Sequence, residues 1–287
     1  MRYIDTFKTW YPLFLKSIGM FFGSIGAIAT VLPVEEITSN LKLWLRIVIF
    51  FAIVAISGIV SIIIVVRQIR ANRKAVYSNE DTKIYFEYGD VSSILKKKHT
   101  ELITIVVPAN TRLEIALDRS RFPKNASVHS LCLDYISRNA EHKYDASFIN
   151  DLTLKKDGFR STGRIGDWFL LPYDKVDRKN KINFLFVEIY ETEIKNGKLC
   201  NADIDDEQFV SGVQALIDAI IASSEIGSKI YMPLIGSGEG KVRTGEDMMH
   251  FINALLRFNR HALRQEIHVL IYNKRRKELP LYHLLEY

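Results

Sequence analysis

The sequence predicts a three-layer α/β fold around a mixed β-sheet, preceded by a two-helix transmembrane hairpin. Two apolar stretches near the amino terminus are each about 20 residues long, which is the length that crosses a bilayer as a helix. Strand-like and helix-like apolar patterns alternate through the rest of the chain, as they do in sheets covered by helices on both faces. A glycine-rich loop between a predicted strand and a predicted helix indicates a phosphate-binding site.

The predicted membrane spans are residues 13–32 and 43–66, in which Lys16 and Arg46 are the only charged residues. One alternative is a buried helical hairpin in a soluble protein, but the rest of the chain is too small to cover two such helices on every face. A cleaved signal peptide is a second alternative. Asp5, Lys16 and the length of the first stretch argue against it.

Basic residues flank the two spans, whereas the first part of the turn between them has none. Lysine and arginine stay on the cytoplasmic side, so the chain is predicted to be a multi-pass protein of the inner (plasma) membrane with both termini cytoplasmic. The flanking residues are Arg2, Lys8 and Lys16 before the first span, and Arg67, Arg70, Arg73 and Lys74 after the second.

The basic run RQIRANRK, residues 67–74, has two further interpretations, as a binding site for nucleic acid or for anionic lipid. Its position directly after a predicted span favours a stop-transfer anchor. The lipid bilayer is therefore a predicted partner, and nucleic acid is not.

Small residues recur every four positions in the first span, at Gly19, Gly23 and Ala27. This spacing lets two helices approach closely in lipid, and it predicts a homo-oligomer. The alternative is that glycine is simply common in membrane helices.

The chain of 287 residues is predicted to divide into a transmembrane region, residues 1–74, and a cytoplasmic nucleotide-binding domain, residues 75–287. Its two cysteines, Cys132 and Cys200, are far apart and lack a CxxC pattern or a nearby histidine pair. They are predicted to be reduced thiols. We expect neither a metal site nor a resident cofactor.

Five segments of the cytoplasmic domain carry the apolar patterns of strands. A continuous apolar run such as ITIVV is typical of a central strand that is buried on both faces. An amphipathic helix is predicted over residues 207–224, and a second helix after Thr244. The predicted strands are residues 83–91, 101–110, 180–191, 230–232 and 266–274.

The glycine-rich loop follows the predicted strand at 230–232 and consists of Gly236, Ser237, Gly238, Glu239 and Gly240. Glycine lets a ligand lie against bare backbone, and a helix amino terminus offers free N–H groups and the positive end of its dipole. Thr244 with Asp247 three residues later resembles a capping box. An ordinary surface turn rich in glycine is the alternative.

The segments YGDVSSI, IVVPANTRL and PLIGSGEGKV occur in this order at predicted strand ends. Together they resemble the macro domain, the fold that binds ADP-ribose and related nucleotides. The resemblance covers the chain from Lys83 to its end. It implies a macro-domain-like three-layer α/β/α mixed sheet and an ADP-ribose-type ligand.

The resemblance also implies roles for individual residues. Asp90 corresponds to the aspartate that accepts a hydrogen bond from the adenine amino group, although it has the alternative role of a turn aspartate. Asn110 corresponds to the asparagine that faces the distal ribose. Tyr272 and Asn273 fall where the nucleoside is lined, and Tyr272 has the alternative of a core residue. The residues that would hold the diphosphate through backbone amides are Gly236, Ser237, Gly238, Glu239 and Gly240.

Where hydrolytic macro domains carry a second glycine-rich loop, this chain has TRLEIALDRSRFPKNASVHS, without glycine. Glu114, Asp118 and His129 in this stretch lack the spacing of a nucleophile and a base, and we expect them on a solvated helix. No catalytic residue is predicted, and the chain is expected not to be an enzyme. The polar stretch 155–172, which contains three glycines, is a candidate replacement loop.

A two-helix membrane anchor followed by a macro-like domain resembles one effector type of the Thoeris bacterial anti-phage defence system. The resemblance implies that a TIR-domain enzyme supplies an ADP-ribose-derived signal, and that the effector then disrupts the membrane or arrests the cell. An ADP-ribosyl hydrolase tethered to the membrane and a tethered scaffold with a vestigial pocket are the alternatives.

Overall fold

The computed structural model describes residues 15, 19, 23, 43–110, 127–139, 159–160, 165–190, 192–195, 198–201, 206–235 and 245–285. The chain divides into two compact units, Met1–Ala71 and Asn72–Tyr287. The second unit starts before the predicted boundary at residue 75, because Arg73 and Lys74 belong to its first β-strand.

Helix α1, Leu43–Arg70, is the main described element of the first unit and contains the whole of the second predicted span. Large apolar side chains along it are exposed, among them Trp44, Phe51 and Ile59. The first predicted span lies outside the described residues except for positions 15, 19 and 23, which are helical. Judged by length and hydropathy together, no helix within the described ranges qualifies to cross a membrane. The hairpin therefore stays a prediction from the sequence.

The second unit contains a mixed sheet of eight strands in the order β1-β2-β10-β9-β3-β6-β5-β4. Strands β2, β10, β9, β3 and β6 are parallel to one another, and β1, β5 and β4 add antiparallel edges. The bounds are β1 Arg73–Ser78, β2 Lys83–Tyr88, β3 Ile103–Asn110, β4 Phe159–Arg160, β5 Trp168–Leu171, β6 Ile182–Tyr190, β9 Lys229–Pro233 and β10 Glu266–Ile271. A separate hairpin pairs β7, Thr192–Lys195, with β8, Lys198–Asn201.

Helices cover both faces of this sheet, which confirms the predicted mixed α/β architecture. Helices α5, Asp206–Ser223, and α6, Gly245–Phe258, pack on one face, and α2, Val91–Leu95, and α3, Val128–Asn139, pack on the other. A short helix α4, Tyr173–Val176, precedes β6. Two 3₁₀ helices, Asn273–Arg275 and Leu281–Leu285, follow β10.

Strand β3 shows why the central strands are continuously apolar. Successive side chains of a strand point to opposite faces, so Ile105 and Val107 join the core beside α3, while Val106 joins the core beside α5 and α6. All three are fully buried. Because both faces are covered by helices, a polar residue at any of these positions would be buried without water.

The structure corrects one expectation from the sequence. His129 lies on α3, but it is buried, with its ring 5.9 Å from that of Phe186, and it is not part of a solvated helix. Glu114 and Asp118 lie outside the described residues. The described part of the stretch 155–172 supplies strands β4 and β5, while Gly158 and Gly163 lie outside the described residues, so the replacement loop stays a prediction. Gly166 has a φ of 99°, and a Cβ there would lie 3.0 Å from the Cβ of Ala215 on α5. Gly166 therefore serves packing against a helix.

The buried imidazole of His268 is the centre of a group of polar contacts that connects strand β1 with the parallel strands β2 and β10. Nε2 of His268 on β10 lies 2.9 Å from Oε1 of Glu266, and Nδ1 lies 3.3 Å from Oε1 of Glu87 on β2. Arg73 on β1 donates to Glu266 at 3.2 Å, and its guanidinium lies 3.4 Å from the centre of the Tyr85 ring. The ring of Tyr231 stacks on the imidazole at 4.6 Å. We call His268, Glu87, Glu266 and Arg73 the imidazole cluster.

Asp90 is the N-cap of α2, which follows directly from the end of β2. Its Oδ1 accepts a hydrogen bond from the backbone N–H of Ser92 at 2.5 Å, and its backbone carbonyl accepts from the Ser93 hydroxyl at 2.7 Å. Aspartate is favoured at this position because its carboxylate replaces a missing intrahelical acceptor. The turn aspartate that the sequence left as an alternative is therefore present as a helix cap.

The imidazole cluster predicts a specific acid sensitivity. Burial acts to raise the pKa of Glu266, but its contact with His268 and the charges of Lys229 and Arg73 outweigh this, and the pKa falls below its ordinary value of 4.5. A lowered pKa contributes stability above pH 4.5 that is lost as the pH falls through the folded-state value. We expect Glu266→Gln to lower the Tm at pH 7 by about 2–4 °C, and to reduce the further loss between pH 7 and pH 3. Calorimetry of the full chain measures both, and equal losses on acidification in the two proteins would contradict it.

The helix cap predicts a difference between two substitutions at one position. Asp90→Ala removes the acceptor for Ser92 and is expected to cost about 0.5–2 kcal/mol of unfolding free energy. Asp90→Asn keeps a side-chain oxygen and is expected to cost little. Chemical denaturation measures both values. Equal losses in the two variants would show that the cap contributes nothing.

Candidate functional site

The candidate site lies at the edge of the sheet where its parallel strands end. Because β2, β10, β9, β3 and β6 run in the same direction, their carboxyl ends collect at one edge, which we call the carboxyl edge. In open α/β sheets, ligands bind outside this edge. The predicted site residues follow four of these strands: Asp90 after β2, Tyr272 and Asn273 after β10, the segment 236–240 after β9, and Asn110 at the end of β3.

Asp90 uses one of its carboxylate oxygens in a hydrogen bond within the described part of the chain. Oδ1 caps α2 through Ser92, and no described residue donates a hydrogen bond to Oδ2. The preceding Gly89 is held in place by its N–H, which donates to the carbonyl of Ile271 at 3.0 Å. These hydrogen bonds hold the carboxylate beside the ends of β2 and β10.

The backbone at Asn110 departs from the regular strand ladder. Ala109 pairs with Glu188, but Asn110 pairs with Tyr190, so β6 contains one extra residue at this point. Such bulges bend a strand and turn the following residues out of the ladder, and they are frequent next to binding sites. No sequence pattern predicts this bulge, because its cause lies in the pairing of two strands.

The glycine-rich loop itself, Gly236, Ser237, Gly238, Glu239 and Gly240, lies outside the described residues, as does Thr244. Both of its flanks are described. Leu234 after β9 is buried, and its N–H donates to the carbonyl of Leu270 at 2.9 Å. Helix α6 begins at Gly245 with two acidic residues in its first turn, Glu246 and Asp247.

Tyr272 and Asn273 are surface residues at the end of β10. Tyr272 is 49 % exposed, which rules out the alternative that it is a core tyrosine. Nζ of Lys274 lies 5.9 Å from the centre of its ring, and Asn273 starts the 3₁₀ helix that ends at Arg275. An exposed aromatic ring at this edge offers a flat apolar face to a planar ligand.

Arg275, a basic residue that no sequence pattern singled out, lies at the start of α6. A Cβ added to Gly245 would overlap Nη2 of Arg275, so the guanidinium lies against bare backbone at the start of the helix. Nε of Arg275 also donates to Glu278 at 3.1 Å. The run KRRK was visible in the sequence, but its proximity to a residue 30 positions earlier was not. Lys241 and Arg243, two basic residues between the glycine-rich loop and α6 in the sequence, lie outside the described residues.

The described residues supply binding groups at this edge and little that is reactive. Cys132 is fully buried on α3, and burial raises the pKa of its thiol far above the ordinary value, so it is no nucleophile. Within the described ranges, no group of three His, Cys, Asp or Glu residues is placed to hold a metal ion. Acceptors, an aromatic face and a guanidinium are groups that recognise a nucleotide.

No protein-family model matches the chain, and no curated protein matches its sequence. Among solved structures, it is similar to the macrodomain of Oceanobacillus iheyensis with MES bound, at 11 % identity and a TM-score of 0.46, over 75 % of this chain and 96 % of that one. A mutant of that macrodomain with ADPR is 13 % identical to this chain, with a TM-score of 0.47, over 75 % of this chain and 100 % of that one. The Trypanosoma brucei macrodomain in complex with ADP-ribose gives 12 % identity and a TM-score of 0.40, over 71 % of each chain. The structural neighbours are macrodomains.

Proposed function

We propose that the chain is a membrane-anchored sensor whose second unit binds an ADP-ribose-derived nucleotide at the carboxyl edge. The observation that carries this proposal is the collection of Asp90, Asn110 and Tyr272 at the ends of three parallel strands, with β9 leading into the glycine-rich loop. Each is a different kind of binding group, and together they match the parts of a nucleotide.

Oδ2 of Asp90 accepts a hydrogen bond from the adenine amino group in this proposal, and the ring of Tyr272 lies against the nucleoside. Asn110 and Asn273 face the riboses. The diphosphate occupies the loop Gly236–Gly240 ahead of α6, where backbone N–H groups and the helix dipole favour negative charge. Arg275 adds a positive charge at the same helix terminus, and an anion there offsets the repulsion between the guanidinium and the dipole.

The membrane part of the proposal is supported by the composition of residues 13–32 and 43–66 and by the exposed apolar side chains of α1. Arg67 and Arg70 lie in its last turn, where basic residues suit a cytoplasmic interface. In this proposal both termini are cytoplasmic, and the chain acts at the inner membrane as a homo-oligomer through the spacing of Gly19, Gly23 and Ala27.

The signal reorganises the membrane segments only if it binds the active state more tightly. A shift from mostly inactive to mostly active requires about 5.5 kcal/mol of preference. Several backbone amides on a diphosphate and one carboxylate contact are of that magnitude, especially when each subunit of an oligomer contributes. The biological setting we propose is a Thoeris-like anti-phage response, in which a TIR-domain enzyme makes the signal and membrane disruption or cell arrest follows.

We further propose that the chain binds its ligand without transforming it. The burial of Cys132 and the absence of a nucleophile–base pair at the described strand ends support binding over hydrolysis. The competing function is an ADP-ribosyl hydrolase. Recovery of the ligand after binding separates the two, because a sensor returns it intact.

We expect the full chain in detergent micelles to bind ADP-ribose, and Gly238→Val to abolish binding, because a side chain in the loop blocks the approach of the diphosphate to backbone. Asp90→Asn is expected to weaken the binding of ADP-ribose about tenfold, the factor for one charge-assisted hydrogen bond. The affinity for inorganic pyrophosphate should stay unchanged. Isothermal calorimetry measures these affinities.

Asp81→Asn is the matched control for that titration, since it makes the same change at an exposed residue of the β1–β2 turn. Unchanged ADP-ribose affinity in Gly238→Val would exclude the loop as the diphosphate site. Failure of the unaltered chain to bind any adenylated diphosphate would reject the proposed function.

The anchor predicts that the chain sediments with membranes and resists extraction by alkaline carbonate, since only bilayer-embedded segments survive that treatment. A chain lacking residues 1–71 is expected in the supernatant, because α1 and the preceding stretch are then gone. Quantitative immunoblotting of both fractions measures the distribution. Release of the full chain by carbonate would exclude a membrane-spanning anchor.

A further inference from the structure

The first residue of the second unit is held by residues that adjoin the candidate site. The carbonyl of Asn72 accepts a hydrogen bond from the N–H of Tyr88 at 2.8 Å, and its Oδ1 accepts from Nη1 of Arg276 at 2.7 Å. The Arg276 guanidinium also lies over the Tyr88 ring, 4.9 Å from its centre. We call Asn72, Tyr88 and Arg276 the junction triad.

Both partners of Asn72 belong to segments that carry proposed ligand contacts. Tyr88 is the last residue of β2, and only Gly89 separates it from Asp90. Arg276 closes the 3₁₀ turn that begins at Asn273, and its N–H donates to the Asn273 carbonyl at 3.2 Å. A ligand that draws these two segments together therefore acts on both groups that hold Asn72.

Two further hydrogen bonds hold the Tyr88 side chain, so movement of the 272–276 turn is transmitted through it. Its hydroxyl donates to the carbonyl of Leu279 at 2.8 Å and accepts from the N–H of Leu281 at 2.9 Å. Burial raises the pKa of Tyr88 above its ordinary value of 10.0, so the phenol is neutral at physiological pH and keeps the proton that it donates. The residues after β10 are thereby fixed to the end of β2 at a second point.

The connection on the other side of the triad is short. Helix α1 ends at Arg70 and strand β1 starts at Arg73, which leaves only Ala71 and Asn72 between a helix and a strand. Two residues provide little slack, because each spans at most about 3.6 Å. A displacement of Asn72 therefore reaches the last turn of α1 directly.

We propose that Arg276 is a positioning residue that couples occupancy of the nucleotide site to α1 through its hydrogen bond to Asn72. This inference rests on the proposed function and adds the route by which binding is transmitted. Arg276 touches no ligand group in this account. Movement of the 272–276 turn moves Arg276, and the hydrogen bond to Asn72 transmits this movement to α1.

A purely structural role for this hydrogen bond makes a different prediction. The donor and acceptor are 204 positions apart in the sequence and lie at the surface. If the hydrogen bond were only structural, its removal would lower the stability a little and leave any response to the ligand intact. Coupling instead requires that the response at residues 68–76 be lost while the affinity for ligand is kept.

Hydrogen exchange of the full chain in detergent micelles, with and without saturating ADP-ribose, tests the coupling. We expect ADP-ribose to slow exchange in peptides covering residues 68–76 by about tenfold, the factor that one charge-assisted hydrogen bond represents. Arg276→Ala and Asn72→Ala are expected to abolish this slowing. Their ADP-ribose affinity by calorimetry should stay within about threefold of the unaltered chain, which is less than the loss of one such bond.

Lys277→Ala is the matched control, because it removes a neighbouring, exposed positive charge that makes no contact with Asn72 among the described residues. Asn72→Asp is the gain-of-contact variant, since a carboxylate accepts more strongly from a guanidinium, and it should keep the slowing. The outcome that overturns the inference is ADP-ribose binding without slowing at 68–76, or slowing that persists in Arg276→Ala. Absence of ADP-ribose binding in the unaltered chain rejects the proposed function itself and is seen separately in the calorimetry.

Discussion

The common direction of five strands is the constraint on which the rest of this structure depends. Parallel neighbours need crossover connections, and these place helices on both faces, which makes strands such as β3 apolar throughout. The same constraint brings the carboxyl ends of β2, β10, β9 and β3 to one edge. Residues that are far apart in the sequence therefore lie close together at this edge, because the strand direction alone places them there.

The two ends of these strands carry different kinds of polar group. At their amino ends, Lys229 pairs with Glu101, and Glu266 contacts the His268 imidazole, so these polar groups have partners within the protein. At their carboxyl ends, Asp90 keeps an oxygen without a described donor and Tyr272 keeps an exposed ring. Partnered polar groups stabilise the sheet, and a polar group without a partner is costly to bury unless a ligand or water satisfies it.

The position of β1 places the first residues of the second unit beside the candidate site. Because β1 is antiparallel to β2, the chain enters the sheet beside the carboxyl end of β2, with Arg73 opposite Glu87. Entry at the other edge would have placed the whole length of the strands between Asn72 and Asp90. The junction triad exists only because an antiparallel edge strand brings the unit boundary to the candidate site.

The sequence by itself determined the elements and their order, because burial imposes apolar periods that are local: β3, β6, α5, α6 and β10 lie where these periods predicted them. It also placed Asp90, Asn110 and Tyr272 at strand ends. Only the tertiary structure decided that Arg73 and Lys74 form a strand, that His129 is buried, that β6 bulges at Asn110 and that Arg276 holds Asn72. These depend on pairing between segments up to 204 positions apart, and no local period records such a pairing.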